Sequence, residues 1–415
     1  MKRRVVITGL GAITPIGLTV DEYRQSLFEG KNGIVAITRF ETDERYASRI
    51  AGEVKNFDAT KYFDRKEIRR LDLFAQYGIA ASIDAIADSG LNLDSIDPER
   101  VGVIASSGIG GMETLEKEYF VLFERGPARI SPFFVPMLIA DILPGQISIR
   151  FGFKGPNYST TSACSSSAHA IGSAFNHIQY GDADIMLAGG AEAAVTSMGL
   201  AGFSAMKALS TRNDDPEHAS RPFDARRDGF VLAEGAGILV LEELEHAKKR
   251  GAKIHCEIAG YAANADAYHI TAPAPTGEGA VKVTQLALKN ANISPQDVDY
   301  INAHGTSTPH NDRSETTAIK TVFDDYAYKI PISSTKSMIG HLLGASGAVE
   351  FIAVVLSIEN NKIHPTINYE VPDPDCDLYY VPNTSIDKEV NVAISNSFGF
   401  GGHNVCLVAK KFQEN

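Results

Sequence analysis

The chain has 415 residues, 44% hydrophobic and 22% charged, which allows two or three ordinary domains or one large fold built from two similar halves. Its 39 basic against 51 acidic residues leave a formal charge of −12. That argues against a general binder of nucleic acid or of an anionic membrane, while a local basic patch remains compatible with it.

The opening segment, MKRRVVITGLGAITPIG, has the outline of a signal peptide: charges, then apolar residues. Thr8, Gly9, Gly11, Thr14 and Pro15 break the run and no convincing cleavage segment follows, so Arg4–Thr8 is predicted as a buried strand instead. Further strands are predicted at Val101–Ala105, Ile185–Ala188, Ile238–Glu242, Tyr300–Ala303 and Val392–Ser395. Helices are predicted at Asp72–Ser89, Ser165–Gln179, Gly279–Ala291 and Gly344–Glu359. Strands alternating with helices imply an α/β protein with largely covered sheets. A charged helix over Glu243–Ala252, ending at Gly251, marks the best internal boundary, between halves at 1–254 and 255–415. The halves echo each other faintly. In each, a small-residue turn leads into an Ala/Gly/Ser-rich helix, from Ser162 and from Gly340, then a strand and a glycine loop, at Gly189-Gly190 and at Gly399 to Gly402. No stretch of about 20 apolar residues is available to span a bilayer.

Four scattered cysteines without a CxxC pair exclude zinc ribbons and disulfide frameworks and point to a reducing cytosol. Cys164 stands at a loop-to-helix junction, where exposed backbone N–H groups favour a thiolate and can hold an oxyanion. The same position suits a small buried cysteine in a tight turn. Cys256 and Cys406 lie in strand-like runs, and Cys376 in a Pro/Asp loop.

His304 follows the strand VDYINA, and His341 sits between Gly340 and Gly344 before an apolar helix. Either alone can be a structural histidine; with Cys164 they make a Cys/His set suited to acyl transfer. Lys336 and Glu350 are either two solvated side chains or a buried pair. The loop Asn396–Asn404 allows close backbone approach to a ligand, with Phe400 as a gate or a core cap. Gly108 to Gly111 lacks the spacing and the ribose-binding acid of a dinucleotide fingerprint, so no nicotinamide cofactor is expected. His310, Asp312 and His403 show no metal spacing.

Six ordered motifs, VVITGLGAITPIG, TSACSSSAHAIG, RPFDARRDGFVLAEGAG, HGTSTPHND, TKSMIGHLLGASGAVE and NSFGFGGHN, span nearly the whole chain. Together they resemble the β-ketoacyl-acyl carrier protein synthases of dissociated, type II fatty acid synthesis. The resemblance implies a thiolase-like fold of five αβαβα layers in two similar halves, usually as a homodimer. It implies that Cys164 is the acylated nucleophile and that His304 and His341 handle malonyl decarboxylation. Lys336 would be a structural lysine paired with Glu350, and Phe400 a gatekeeper whose backbone N–H joins that of Cys164 in the oxyanion hole. Thr306 and Thr308 would meet the phosphopantetheine arm, and Ile109 would line the acyl channel.

The implied reaction needs no redox cofactor and no catalytic metal, since the phosphopantetheine arm arrives on the acyl carrier protein. That partner is acidic, so an acidic enzyme must meet it through local positive charge. Lys66, Arg69 and Arg70 form the densest basic cluster, although a charge run also suits a solvated helix face, and Arg125, Arg129 and Lys207 resemble further entrance residues. One departure stands out: many members read ACATG where this chain has Ala163-Cys164-Ser165-Ser166-Ser167, which bears on pocket shape. A thiolase would carry a second cysteine in a CxGGG-like motif, where this chain reads FGFGGHN. A chain-length factor would lack the nucleophile. A polyketide or specialised-lipid ketosynthase would present the same site.

Overall fold

In the computed structural model, which describes residues 2–414, ten strands join in one continuous sheet. They are β1 (Val5–Ile13), β2 (Val101–Ser106), β3 (Asn157–Tyr158), β4 (Ile185–Glu192) and β5 (Gly235–Glu243). The second half supplies β6 (Cys256–Ala265), β7 (Tyr300–Asn302), β8 (Ile332–Ser333), β9 (Val392–Gly399) and β10 (His403–Lys410). Outward from the central antiparallel β1–β6 pair, the first half runs β1-β5-β4-β2-β3 and the second β6-β10-β9-β7-β8. In each half the first two pairings are antiparallel and the last two parallel. The faint sequence echo is therefore a repeated topology.

Period-2 alternation assigns each strand face to a different layer. Val101, Val103, Ile185, Leu187, Ile238 and Val240 pack with α1 (Leu73–Ser89) on the outer face of the first half. Ile394, Cys406 and Val408 pack with α4 (Glu278–Ala291) and α5 (Pro309–Phe323) on the outer face of the second. The intervening residues Ile104, Met186, Leu239, Leu241, Val405 and Leu407 meet the middle helices α3 (Ser166–Tyr180) and α6 (Ser346–Asn360). The result is a helix–sheet–helix–sheet–helix stack, the thiolase-like α/β architecture. The remaining long helix, α2 (Met112–Arg125), lies beside the short helix Ser197–Ala205.

The middle layer explains the composition of its helices. Every α6 residue from Ser346 to Ile358 is buried, so the helix is apolar all round. The segment Leu343–Asn360 is long and apolar enough to cross a membrane, yet 89% of it lies inside the fold. Both middle helices have 15 residues and follow a 3₁₀ turn, Ala163–Ser165 or Leu343–Ala345. Ala163 and Leu343 both adopt positive φ, 51° and 47°.

Two expectations need correction. Gly189-Gly190 is not a loop: both residues sit inside β4, where a Cβ on Gly189 would stand 2.0 Å from the Gly237 carbonyl oxygen of the neighbouring strand. The charged helix at the boundary is shorter than expected, Leu244–Lys249, with Glu243 as its N-cap.

Candidate active site

Where the two halves meet, the turns Ala163–Ser165 and Leu343–Ala345 pack against each other beneath a cavity of about 240 Å³. Cys164, His304, His341, Thr306, Thr308 and Phe400 line it together. They come from four chain segments: the turn before α3, the loop from β7 to α5, the stretch before α6 and the turn after β9. Strand ends and helix starts are where open α/β sheets gather reactive groups.

Three serines build the turn that presents Cys164. Ser166 accepts the Ser162 N–H at 2.9 Å and donates to the Ala163 carbonyl at 2.7 Å. Ser165 donates to the His403 carbonyl at 2.8 Å, and Ser167 accepts the Ala348 N–H of α6 at 2.9 Å. The run Ser165-Ser166-Ser167 thus tethers the nucleophile turn to β10 and to the other middle helix.

The thiolate-favouring effect expected at this helix start is outweighed. Burial pushes the Cys164 thiol up to about 12, against the downward pull of the Lys336 charge and of a hydrogen bond from the Phe400 backbone N–H. A thiol raised that far is protonated at neutral pH.

His304 and His341 stand edge to face, flanked by Phe398 and Phe230 respectively. Burial holds both imidazoles well below the ordinary range, and Lys336 lowers them further. Their tautomers follow from their partners. At His341, Nδ1 accepts from the Leu343 N–H at 3.2 Å and from the Ser346 hydroxyl at 2.9 Å. At His304, Nδ1 faces the Lys336 ammonium at 3.4 Å. Since N–H and ammonium groups only donate, both neutral rings carry their proton on Nε2.

Lys336 and Glu350 settle as a buried ion pair, each about 1% exposed, and Lys336 Nζ also donates to the His304 carbonyl at 2.7 Å. Burial raises the Glu350 carboxyl to about 7, and among the described residues its Oε2 has no hydrogen-bond partner. Thr306 and Thr308 share a hydroxyl hydrogen bond of 2.9 Å. Ile109 is not on the cavity wall itself; it packs in one apolar cluster with Cys164, Leu343 and Phe230.

Of the six basic residues singled out for a carrier, Lys207 lines the cavity mouth. Lys66, Arg69, Arg70, Arg125 and Arg129 are exposed elsewhere, and among the described residues none of the six forms an ion pair. Arg70 stacks its guanidinium over Phe133 at 4.5 Å. Sequence reading passed over Glu192 and Glu315. Glu315 accepts the N–H groups of His304 and Gly305, each at 2.8 Å, and fixes the His304 loop. Glu192 had a readable signal: it is the only ionisable residue between Asp184 and Lys207, in a run that otherwise reads as core.

Two family models match the chain. Residues 2–247 match the beta-ketoacyl synthase N-terminal domain and residues 255–370 match the beta-ketoacyl synthase C-terminal domain. The chain belongs to the β-ketoacyl synthase family. This β-ketoacyl synthase is 55% identical over 412 residues to "3-oxoacyl-[acyl-carrier-protein] synthase 2" of Synechocystis sp., covering 99% of each chain. It is 54% identical over 411 residues to the protein of the same name from Staphylococcus aureus strain COL, again covering 99% of each. Among solved structures it superposes on the ishigamide ketosynthase/chain length factor with a TM-score of 0.93 at 36% identity. On the ketosynthase titled "AntDE:AntF (apo): type II PKS acyl-carrier protein in complex with its ketosynthase bound to the hexaketide" the TM-score is 0.91 at 36% identity. Both structural matches cover 100% of each chain.

Proposed function

We propose that this protein is a 3-oxoacyl-acyl carrier protein synthase of type II fatty acid biosynthesis, joining a Cys164-bound acyl chain to the two-carbon unit of malonyl-carrier. The observation that carries the reading is two neutral imidazoles with Nε2–H at one cavity with a single thiol. In the first step Cys164 sulfur attacks the acyl thioester, the C–S bond to the carrier breaks, and the thiol proton leaves with the carrier sulfur. Because the free thiol sits near 12, bound substrate must draw its proton off as the sulfur attacks. Malonyl-carrier then binds and its C–C bond to the carboxylate breaks, releasing CO2. The electron pair passes onto the thioester oxygen, where His304 and His341 donate. The resulting carbanion attacks the Cys164 thioester, whose oxyanion the N–H groups of Cys164 and Phe400 hold. Collapse releases a β-ketoacyl-carrier two carbons longer, and the departing thiolate takes a proton from water.

The roles of Lys336 and Glu350 follow from their pairing: they fix the His304 backbone and keep a positive charge beside Nδ1. Thr306 and Thr308 would receive the carrier's pantetheine arm, which is all the cofactor the reaction requires. Unpaired Lys207 at the cavity mouth, with Lys66, Arg69, Arg70, Arg125 and Arg129, would meet the acidic carrier. A second copy of the chain would cover the exposed Tyr119, Phe120 and Phe123 of α2 and the open edge of β3, giving a homodimer. Four free cysteines, all buried, support a reducing, cytoplasmic setting. The 55% identity to a 3-oxoacyl-[acyl-carrier-protein] synthase 2, against 36% to a type II PKS ketosynthase, supports the fatty acid pathway.

The test is to mix the protein with acyl-carrier and malonyl-carrier and follow CO2 release and product mass. The expected product is a β-ketoacyl-carrier longer by two carbons; no CO2 release above a protein-free control overturns the reading.

A further inference from the structure

Glu192, the last residue of β4, is fully buried and joins the two halves through one carboxylate. Its Oε1 accepts from the Ser107 hydroxyl at 2.7 Å and the Ile109 N–H at 3.3 Å. Its Oε2 accepts from the Gly108 N–H at 2.8 Å and the Gly344 N–H at 2.9 Å. Ser107, Gly108 and Ile109 follow β2 in the first half, whereas Gly344 belongs to the turn between His341 and α6 in the second.

Only glycine permits this approach. A Cβ on Gly344 would stand 2.2 Å from the Gly108 nitrogen and 2.8 Å from Glu192 Oε2, and a Cβ on Gly108 would stand 2.9 Å from that same oxygen. Four donors therefore converge on one buried carboxylate, three from one half and one from the other. Beside it, Ile109 and Cys164 of the first half pack with Leu343 of the second. The Leu343 N–H is in turn one of the two donors that fix His341.

We propose that Glu192 is a positioning residue that holds the His341 turn of the second half in register with Cys164 and the Ile109 side chain packed beside it in the first. This rests on the reaction assigned above. Acylation of Cys164 draws on groups at the nucleophile turn, whereas condensation needs the thioester and both histidines in one geometry, so a slipped brace separates the two steps. Misplacement of reacting groups by about 1 Å is enough to cost about 10²-fold in rate.

In Glu192→Gln the amide keeps one acceptor oxygen and turns an NH2 toward donors that the carboxylate satisfied, leaving buried N–H groups unmatched. Acylation from acyl-carrier and condensation with malonyl-carrier are measured separately, alongside wild type. The expected result is acylation within threefold of wild type and condensation lowered tenfold or more, with KM for malonyl-carrier within threefold. Ser107→Ala removes one donor to the carboxylate, and also the acceptor of the Gly110 N–H, while leaving Glu192 and both glycines in place. It is expected to lower the ratio of condensation to acylation at least threefold, and it decides the matter if the glutamine variant does not fold. An unchanged ratio in the folded variants, or an equal fall in both steps, overturns the proposal. Wild type reports on the reaction, and the ratio between variant and wild type reports on Glu192, so the two failures are distinguishable.

Discussion

His304 and His341 stand with ring centroids 5.5 Å apart and planes at 84°, each with Nδ1 turned to a donor from the protein. That arrangement leaves two Nε2–H groups as neutral donors and forbids either ring from serving as an easily protonated base. Their work is then stabilising an oxygen whose charge grows during decarboxylation.

Replacing either histidine by alanine should therefore separate the partial reactions. Loss of one oxyanion donor lowers a rate by about 10²–10³-fold. His341→Ala and His304→Ala are expected to lose malonyl decarboxylation by about that factor while Cys164 still takes up acyl groups. A histidine variant that decarboxylates malonyl-carrier like wild type contradicts this assignment.

The same burial sets a pH dependence. In the fold both histidines titrate well below 6.5, whereas in the unfolded chain they titrate near 6.5. Below that value the unfolded state binds more protons, so stability falls as pH drops under 6.5 and their contribution is flat above it. Urea midpoints between pH 8 and 5 should show that fall in wild type and a smaller one in a His304→Asn, His341→Asn double variant.

Thiol reactivity gives a second profile. With Cys164 pushed up to about 12, alkylation of the free enzyme by iodoacetamide should rise about tenfold per pH unit from 7 to 10 without levelling. A plateau below pH 8 would mean that the cavity holds a thiolate at rest.

Lys336 and Glu350 offer a stability test. Removing one member of a buried pair leaves an uncompensated charge and costs about 3–5 kcal/mol. Glu350→Leu should show a loss of that order in denaturant titrations, and adding Lys336→Met should restore part of it while leaving the His304 backbone without its donor. A single variant as stable as wild type contradicts the buried pair.

Carrier recognition should follow charge. Charge reversal at Arg69 and Arg70 is expected to weaken binding of the acidic carrier at low salt, with the difference fading as ionic strength rises, because the Debye length shrinks from about 30 Å at 0.01 M to about 8 Å at 0.15 M. Normal carrier binding by the reversed variant at low salt rules out this patch, and Lys207→Glu is then the next variant to compare.

Much of the fold was legible because the middle layer writes itself plainly. A helix covered on every side, such as Ser346–Asn360, carries few charges: its two acids are Glu350, paired with Lys336, and Glu359, at the rim. Gly189-Gly190 misled because glycine marks close backbone approach inside a strand as readily as it marks a turn. Cys164, His304 and His341 were legible as types, but nothing in their spacing requires them to meet; the repeated strand order does that. The acidity of Cys164 was misjudged because a helix start raises the thiolate fraction only where water still reaches the sulfur. Glu315 escaped notice because its partners are backbone N–H groups, which leave no mark in a sequence, whereas Glu192 was marked only by standing alone among apolar residues.

The most direct measurement is intact-mass analysis of the protein after incubation with an acyl-carrier, beside a Cys164→Ala variant, followed by addition of malonyl-carrier. The expected result is one acyl group on wild type, none on the variant, and loss of that group as β-ketoacyl-carrier forms. An unmodified wild-type mass with every acyl-carrier tested, or equal acylation of the Cys164→Ala variant, would contradict the account at its centre.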